Sequence, residues 1–203
     1  MMRRLIVAIT GASGAIYGIR ALQILRSLDD IETHLILTPA GLRTITEETE
    51  FKVEQVRALA HRFYDYRDIG AAISSGSFQT IGMLVAPCSV RSMSEIATGV
   101  TTNLLTRAAD VMLKERRPLV LMVRETPLHL GHLRTMTALA EMGAIILPPV
   151  PAFYAEPRNL SDLVDQMVGR ALDLFGYDWP DVKRWGEDLA KGRRQGSNKG
   201  KKS

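Results

Sequence analysis

At 203 residues the chain is long enough to bury a sizeable core as one α/β domain, and 46% hydrophobic with 24% charged residues is an ordinary composition for a water-soluble protein. The net charge of +4 comes from the C-terminus: residues 191–203 hold six basic and no acidic residues, and without them 20 basic residues stand against 22 acidic ones, a formal charge of −2. That balance argues against a nucleic-acid binder. No run approaches the roughly 20 apolar residues of a membrane helix. The single cysteine, Cys88, allows no internal disulfide and fits a reducing cytoplasm.

The first predicted element is an apolar strand over Leu5–Ile9. It runs into the turn Thr10-Gly11-Ala12-Ser13-Gly14 and then a helix from Ala15 to Leu28, with Ile16, Ile19, Leu22 and Leu25 at helical spacing. Strand-like runs recur at Thr33–Leu37, Met83–Pro87, Leu119–Val123 and Ala144–Leu147. Helical patterns recur at Leu104–Met112 and Leu160–Phe175, the latter stopped by Gly176. Strand alternating with helix predicts a mostly parallel sheet with helices on both faces, a Rossmann-like (flavodoxin-like) three-layer sandwich. Residues 1–190 are expected to form this one domain, and the Gly-, Ser- and Lys-rich residues 191–203 a disordered basic tail.

In open α/β sheets ligands bind beyond the carboxyl ends of the strands. The small, hydroxyl and charged residues cluster there: Thr10 to Gly14, Thr38-Pro39, Cys88 to Ser92, Arg124-Glu125 and Pro148 to Tyr154. The glycine turn before a helix N-terminus is a seat for phosphate. An NAD site would place an acid near the end of the second strand, where this chain has Thr38. The turn also resembles that of short-chain dehydrogenases, but no tyrosine is followed four residues on by lysine. A mononucleotide fits better. Arg107 and Lys114, seven apart on a helix, lie within about 20° of each other around its axis at the border of the apolar stripe, either as cations needing a counter-charge such as phosphate or as snorkelling side chains. Arg170 on the last helix lies where it could meet Tyr154, again suggesting an anion. His129 and His132 have no third partner, so no metal site is expected. Cys88 is expected to be a buried structural thiol rather than a nucleophile, and His34 a structural residue of its strand.

These segments together resemble the UbiX-type flavin prenyltransferases. The likeness runs from Arg4 to about Trp185. It includes Thr10–Gly14, Glu48-Thr49, Ile73–Phe78, Pro87–Ser89, Arg107–Leu119, Arg124–Pro127, Pro148–Tyr154 and Arg184-Trp185. It implies a homododecamer with active sites at subunit interfaces. It further implies transfer of a dimethylallyl group from dimethylallyl phosphate to N5 and then C6 of reduced FMN, without a metal, the prenylated FMN passing to a UbiD-type decarboxylase. By position, FMN contacts fall on Gly11, Ala12, Ser13, Thr38, Ser89, Val90, Arg91, Ser92 and Arg124. The prenyl phosphate falls to Tyr154 and Arg170, with Lys114 and Arg107 nearby and Trp185 lining the prenyl pocket. Ser13 and Glu48 correspond to the groups near flavin N5, and Glu125 to the acid that helps phosphate leave. Thr38 stands where several relatives have serine, and its hydroxyl is retained. Two rival readings are a flavin-dependent aromatic-acid or cysteine-type decarboxylase and a non-catalytic FMN carrier. The Pro-x-Met-Asn-x-x-Met-Trp segment of cysteine-type relatives is absent, and a carrier has no need of a prenyl-phosphate cluster.

Overall fold

The computed structural model describes residues 2–186, and the basic tail lies outside them. The chain divides into two compact units, at Pro149/Val150. The first carries a six-stranded sheet. Its strands are β1 (Arg3–Ile9), β2 (Ile31–Leu37), β3 (Arg62–Tyr64), β4 (Gly82–Cys88), β5 (Leu119–Val123) and β6 (Ile145–Ile146). Its helices are α1 (Ala15–Arg26), α2 (Pro39–Glu48), α3 (Val53–Leu59), α4 (Val90–Ala97), α5 (Leu104–Lys114) and α6 (Leu130–Glu141). All pairings are parallel and the spatial order is β3-β2-β1-β4-β5-β6, the doubly wound order, in which the winding reverses between β1 and β4.

The apolar runs of β1, β4 and β5 are continuous rather than alternating because both faces of the sheet are covered. Ile6, Ala8, Met83, Val85, Leu119 and Leu121 point to one face, in a core shared with Leu104, Leu105, Ala108, Val111 and Met112 of α5 and with Met93 and Ile96 of α4. Ile9 points to the other, where α1 lies against it at Gly18; a Cβ there would stand 2.3 Å from the Ala86 carbonyl oxygen and 2.6 Å from the Ile9 side chain. Each fully buried Leu or Ile contributes about 1.5–3 kcal/mol by leaving water.

The ends of β1 and β4 are tied by one side chain. The Thr10 hydroxyl donates to the Pro87 carbonyl at 2.7 Å and accepts from the Ser89 backbone N–H at 2.8 Å. The Thr10 N–H also reaches the Pro87 carbonyl at 3.3 Å, the Thr38 N–H bonds Ile9 at 3.1 Å, and the Arg124 N–H bonds Cys88 at 3.2 Å. Four strand ends are thereby laced into one rim. Cys88 is wholly buried there, which pushes its thiol up to about 12, as expected for a structural residue. His34 is also buried, its Nδ1 2.9 Å from the Tyr64 hydroxyl, and burial pushes it down to about 4 against the pull of Glu32, so it is neutral near pH 7.

The second unit holds a 3-10 turn over Phe153–Ala155 and α7 (Leu160–Asp173). Asn159 caps α7 by accepting from the Asp162 N–H. Val168, Ala171 and Leu172 are buried, and Gly169 lies so close to Val182 that a Cβ would stand 2.0 Å from its methyl.

The strand and helix runs read from sequence fall on these elements, with ends moved by up to two residues. The helix foreseen to Leu28 stops at Arg26, where the Ser27 hydroxyl bonds the Ile24 carbonyl at 2.7 Å. Replacing Thr10 with valine keeps the shape of the side chain and leaves the Ser89 N–H unsatisfied at the rim. Thr10→Val is expected to cost about 1–3 kcal/mol, measured by urea denaturation.

Candidate active site

The turn 10–14 sits where the winding reverses. Gly11 is needed for packing as well as approach: a Cβ there would stand 2.3 Å from the Ala40 Cβ, so only glycine lets the turn lie against the start of α2. Gly14 takes φ 104°, the left-handed region that glycine enters without strain. Ala12 is buried and Ser13 exposed.

The first turn of α1 already holds an anion. The Glu48 carboxylate, from the last turn of α2, accepts from the Gly14 N–H at 2.7 Å and the Ala15 N–H at 3.3 Å, and the Ser13 hydroxyl donates to it as well. Burial raises its pKa, but these three hydrogen bonds and the Arg124 guanidinium outweigh that and hold it below the usual carboxylate range. Ser13 and Glu48, 35 residues apart in sequence, are thus brought together, and the N-terminus of α1 is matched by a carboxylate rather than left for phosphate.

The neighbouring helices differ. Thr38 caps α2, accepting from the Gly41 N–H at 2.9 Å, and Ser89 caps α4, accepting from the Ser92 N–H at 3.2 Å and donating to the Ser92 hydroxyl at 3.2 Å. Neither helix has an acidic residue in its first turn. Two positive helix ends with hydroxyl caps therefore flank the turn, and Arg124 follows at the end of β5. This donor set suits a phosphate monoester. Arg91 points along α4 into an ion pair with Glu95 at 2.8 Å, beside half-buried Val90. Glu125 accepts from the Thr126 N–H at 3.0 Å. Tyr17, which the sequence reading did not single out, stands at the same rim: a Cβ on Gly14 would lie 2.9 Å from its ring. Its hydroxyl pKa is raised by burial, against the opposing effect of Arg124. A tyrosine three residues after the last glycine of the turn was the available signal.

The chain direction carries Lys114 away from this rim. Helix α5 begins beside Tyr66, just beyond the carboxyl end of β3, where the Leu104 N–H bonds the Tyr66 carbonyl at 2.9 Å. It then runs back so that β5 starts at Leu119. Lys114 therefore lies toward the amino edge of the sheet, and Arg107 about 10 Å before it along the axis. The counter-charges expected of phosphate are supplied by the chain itself: Arg107 pairs with Asp110 at 2.7 Å and Lys114 with Glu115. One protomer's crevice thus gathers Ser13, Glu48, Thr38, Ser89 and Arg124, while Lys114 lies toward the opposite edge and Arg107, in the first turn of α5, is turned to Asp110 and the Ser74 carbonyl.

In the second unit the Tyr154 and Trp185 rings meet edge to face at 5.4 Å. The Tyr154 hydroxyl donates to the Lys183 carbonyl at 3.4 Å, and Gln166 Nε2 lies 3.5 Å from it. Arg170 pairs with Asp173, which also holds Arg184. Tyr154 and Arg170 are thus on one unit, but no hydrogen bond joins them. Among the described residues no cluster of three His, Cys, Asp or Glu side chains is placed to hold a metal ion. The imidazoles of His129 and His132 stack at 3.6 Å, and His129 Nδ1 caps α6 by accepting from the Gly131 N–H at 3.0 Å.

A doubly wound sheet whose switch point offers a phosphate monoester two free helix ends, and places a hydrogen-bonded Ser–Glu pair beside them, defines a mononucleotide-binding α/β protein. The Flavoprotein family matches residues 1–172. Flavin prenyltransferase UbiX of Escherichia coli K12 is 59% identical over 186 residues, covering 91% of this chain and 98% of that protein. The crystal structure of AnUbiX (PadA1) in complex with FMN and dimethylallyl pyrophosphate superposes with a TM-score of 0.90 at 49% identity, covering 92% of this chain and 98% of the other. That of the dodecameric FMN-dependent Ubix-like decarboxylase from Escherichia coli O157:H7 gives 0.88 at 46%, covering 90% and 98%. The chain belongs to the flavoprotein family, among the UbiX-type flavin prenyltransferases.

Glu48 is held below its unfolded-state pKa, so it contributes stability above the unfolded range, and that contribution is lost as pH falls through the lowered native value. Glu48→Gln is expected to lower stability at neutral pH and to flatten the acid side of the stability profile. Urea denaturation of both proteins at about pH 7 and about pH 3 checks this.

Proposed function

We propose that this chain transfers a dimethylallyl group from a dimethylallyl phosphate to reduced FMN. The observation that carries the reading is the Ser13–Glu48 pair beside two uncompensated helix ends. Thr38, Ser89, Ser92, the turn Gly11–Ser13 and Arg124 hold FMN, whose phosphate meets the first turns of α2 and α4. When bound, FMN supplies nucleophilic N5 and C6 atoms. Heterolysis of the donor C–O bond makes an allylic cation and a phosphate dianion. Arg107, Lys114, Arg170 and Tyr154 stabilise the dianion, each such preorganised donor contributing about 3–4 kcal/mol to the transition state. Glu125 delivers a proton to the departing phosphate. Ser13 and Glu48 accept the proton lost as the N5 bond forms: the serine hydroxyl already donates to the carboxylate, so the pair is connected as a relay. Trp185 and Tyr154 offer aromatic faces to the cation.

Because α5 carries Lys114 away from the flavin rim, a complete site draws the α5 cations from a second copy of the chain, in keeping with a homo-oligomer, by family resemblance a dodecamer. No helix among the described residues is long and apolar enough to cross a membrane, and we place the enzyme in the cytoplasm, handing prenylated FMN to a UbiD-type decarboxylase.

Anaerobic incubation with reduced FMN and dimethylallyl phosphate, followed by mass spectrometry of the released flavin, is expected to show a gain of one five-carbon unit. Unmodified FMN would leave only a carrier, and carbon dioxide release from an aromatic acid without a partner would mark a decarboxylase. Ser13→Ala is expected to retain FMN and slow adduct formation in single turnover by about 100-fold. Tyr154→Phe and Arg170→Ala are expected chiefly to weaken donor binding, read by titration calorimetry.

A further inference from the structure

The Ser74–Phe78 loop, just before β4, is held by cations through its main chain. Arg117 donates from Nη2 to the Gly76 carbonyl at 2.6 Å and from Nη1 to the Phe78 carbonyl at 2.7 Å, with the Thr80 hydroxyl at 3.5 Å. Arg107 Nε donates to the Ser74 carbonyl at 3.2 Å. Gly76 lies against the C-terminal end of α5. A Cβ there would stand 2.2 Å from Glu115 Oε1 and 2.6 Å from Lys114 Nζ, so the Lys114–Glu115 ion pair rests on the bare Cα of this glycine. The Lys114 ammonium, with the Arg117 charge adding to it, holds Glu115 below its ordinary pKa.

Two of the residues that meet here, Arg107 and Lys114, are assigned above to the donor's phosphate. Arg117 is not; its guanidinium is half-buried and spent on carbonyls. A lysine side chain has four rotatable bonds and loses conformational entropy when fixed. A firm floor under its ammonium removes part of that cost before the ligand arrives.

We propose that Arg117 and Gly76 are positioning residues for the donor site: Arg117 clamps the Ser74–Phe78 loop, and the bare Gly76 Cα sets where Lys114, and through Ser74 also Arg107, present their charges to the donor's phosphate. The inference rests on the prenyl-transfer reading of Arg107 and Lys114. Neither positioning residue is among those assigned above to FMN or to the reacting carbon, so flavin binding is expected to be independent of both.

The test is calorimetric titration of dimethylallyl phosphate into the FMN-loaded, full-length oligomer, for wild type, Gly76→Ala, Arg117→Gln and Arg117→Lys. FMN affinity and melting temperature are measured on the same samples. Gly76→Ala adds one methyl at a position that displaces only flexible side-chain ends. It is expected to weaken donor affinity about tenfold with FMN affinity and melting temperature unchanged. Arg117→Gln is expected to do the same or more, and Arg117→Lys, which restores one carbonyl bond, to recover part of the loss. Wild-type donor affinity in Gly76→Ala overturns the proposal, whatever the stability of the Arg117 variants. Parallel loss of FMN and donor binding in Arg117→Gln that tracks its melting temperature, with Gly76→Ala intact, reduces Arg117 to a structural role and also overturns it. A wild type that makes prenylated FMN while both variants bind donor normally leaves the transferase standing without the clamp. A wild type that neither binds the donor nor makes the adduct removes both.

Discussion

The binding rim depends on a threonine. Thr10 lies where β1 and β4 part company, and a doubly wound sheet has no helix to brace that point from above, because α1 and α4 leave it in opposite directions. The Thr10 hydroxyl bridges the gap by donating to one strand end and accepting from the residue that caps the next helix. Through Ser89 it fixes the start of α4, through the Thr38 N–H on Ile9 the start of α2 follows β1, and through Cys88 the Arg124 backbone follows β4. The two hydroxyl caps and the arginine proposed to face a flavin phosphate are thus each referred to the same two strands.

Charge at this rim is divided rather than summed. The N-terminus of α1 is matched internally by Glu48, which also takes the Ser13 hydroxyl, while α2 and α4 keep their first turns for an external anion. On the proposed reading, that division keeps the carboxylate beside the reacting nitrogen and out of the phosphate seat. Held by three hydrogen bonds, it stays ionised and stays in place.

Much of this was visible in the residues. The apolar runs of β1, β2, β4 and β5 were legible because strands buried on both faces have no other way to read, and α1, α5 and α7 because their apolar stripes repeat at helical spacing. The exposed edge strand β3 was not, since Arg62-Phe63-Tyr64 carries no continuous apolar signal. Helix α2 is mostly polar; its signal was the Thr38-Pro39 cap, a hydroxyl followed by proline at the first helical position. The rim residues were legible from their place after strand ends. The direction of α5 is set by topology rather than by local pattern: a helix joining parallel strands runs back to the opposite edge, so the spacing of Arg107 and Lys114 shows that they share a helix side but not which edge of the sheet each reaches. The purpose of Gly11 was half read: its missing side chain admits Ala40 as much as a ligand.

The reversal of α5 has a consequence for heredity of function within an assembly. When one face of a subunit holds the acceptor and the far edge of its neighbour holds the leaving group, the unit of catalysis is a junction and not a polypeptide. On the proposed reading a lesion at Lys114 would silence the neighbour's flavin and leave its own untouched, whereas a lesion at Glu48 would do the reverse. Two chains each inactive alone, one altered at either edge, would then regain working junctions when mixed into the same particle, in proportion to how often two sound edges meet.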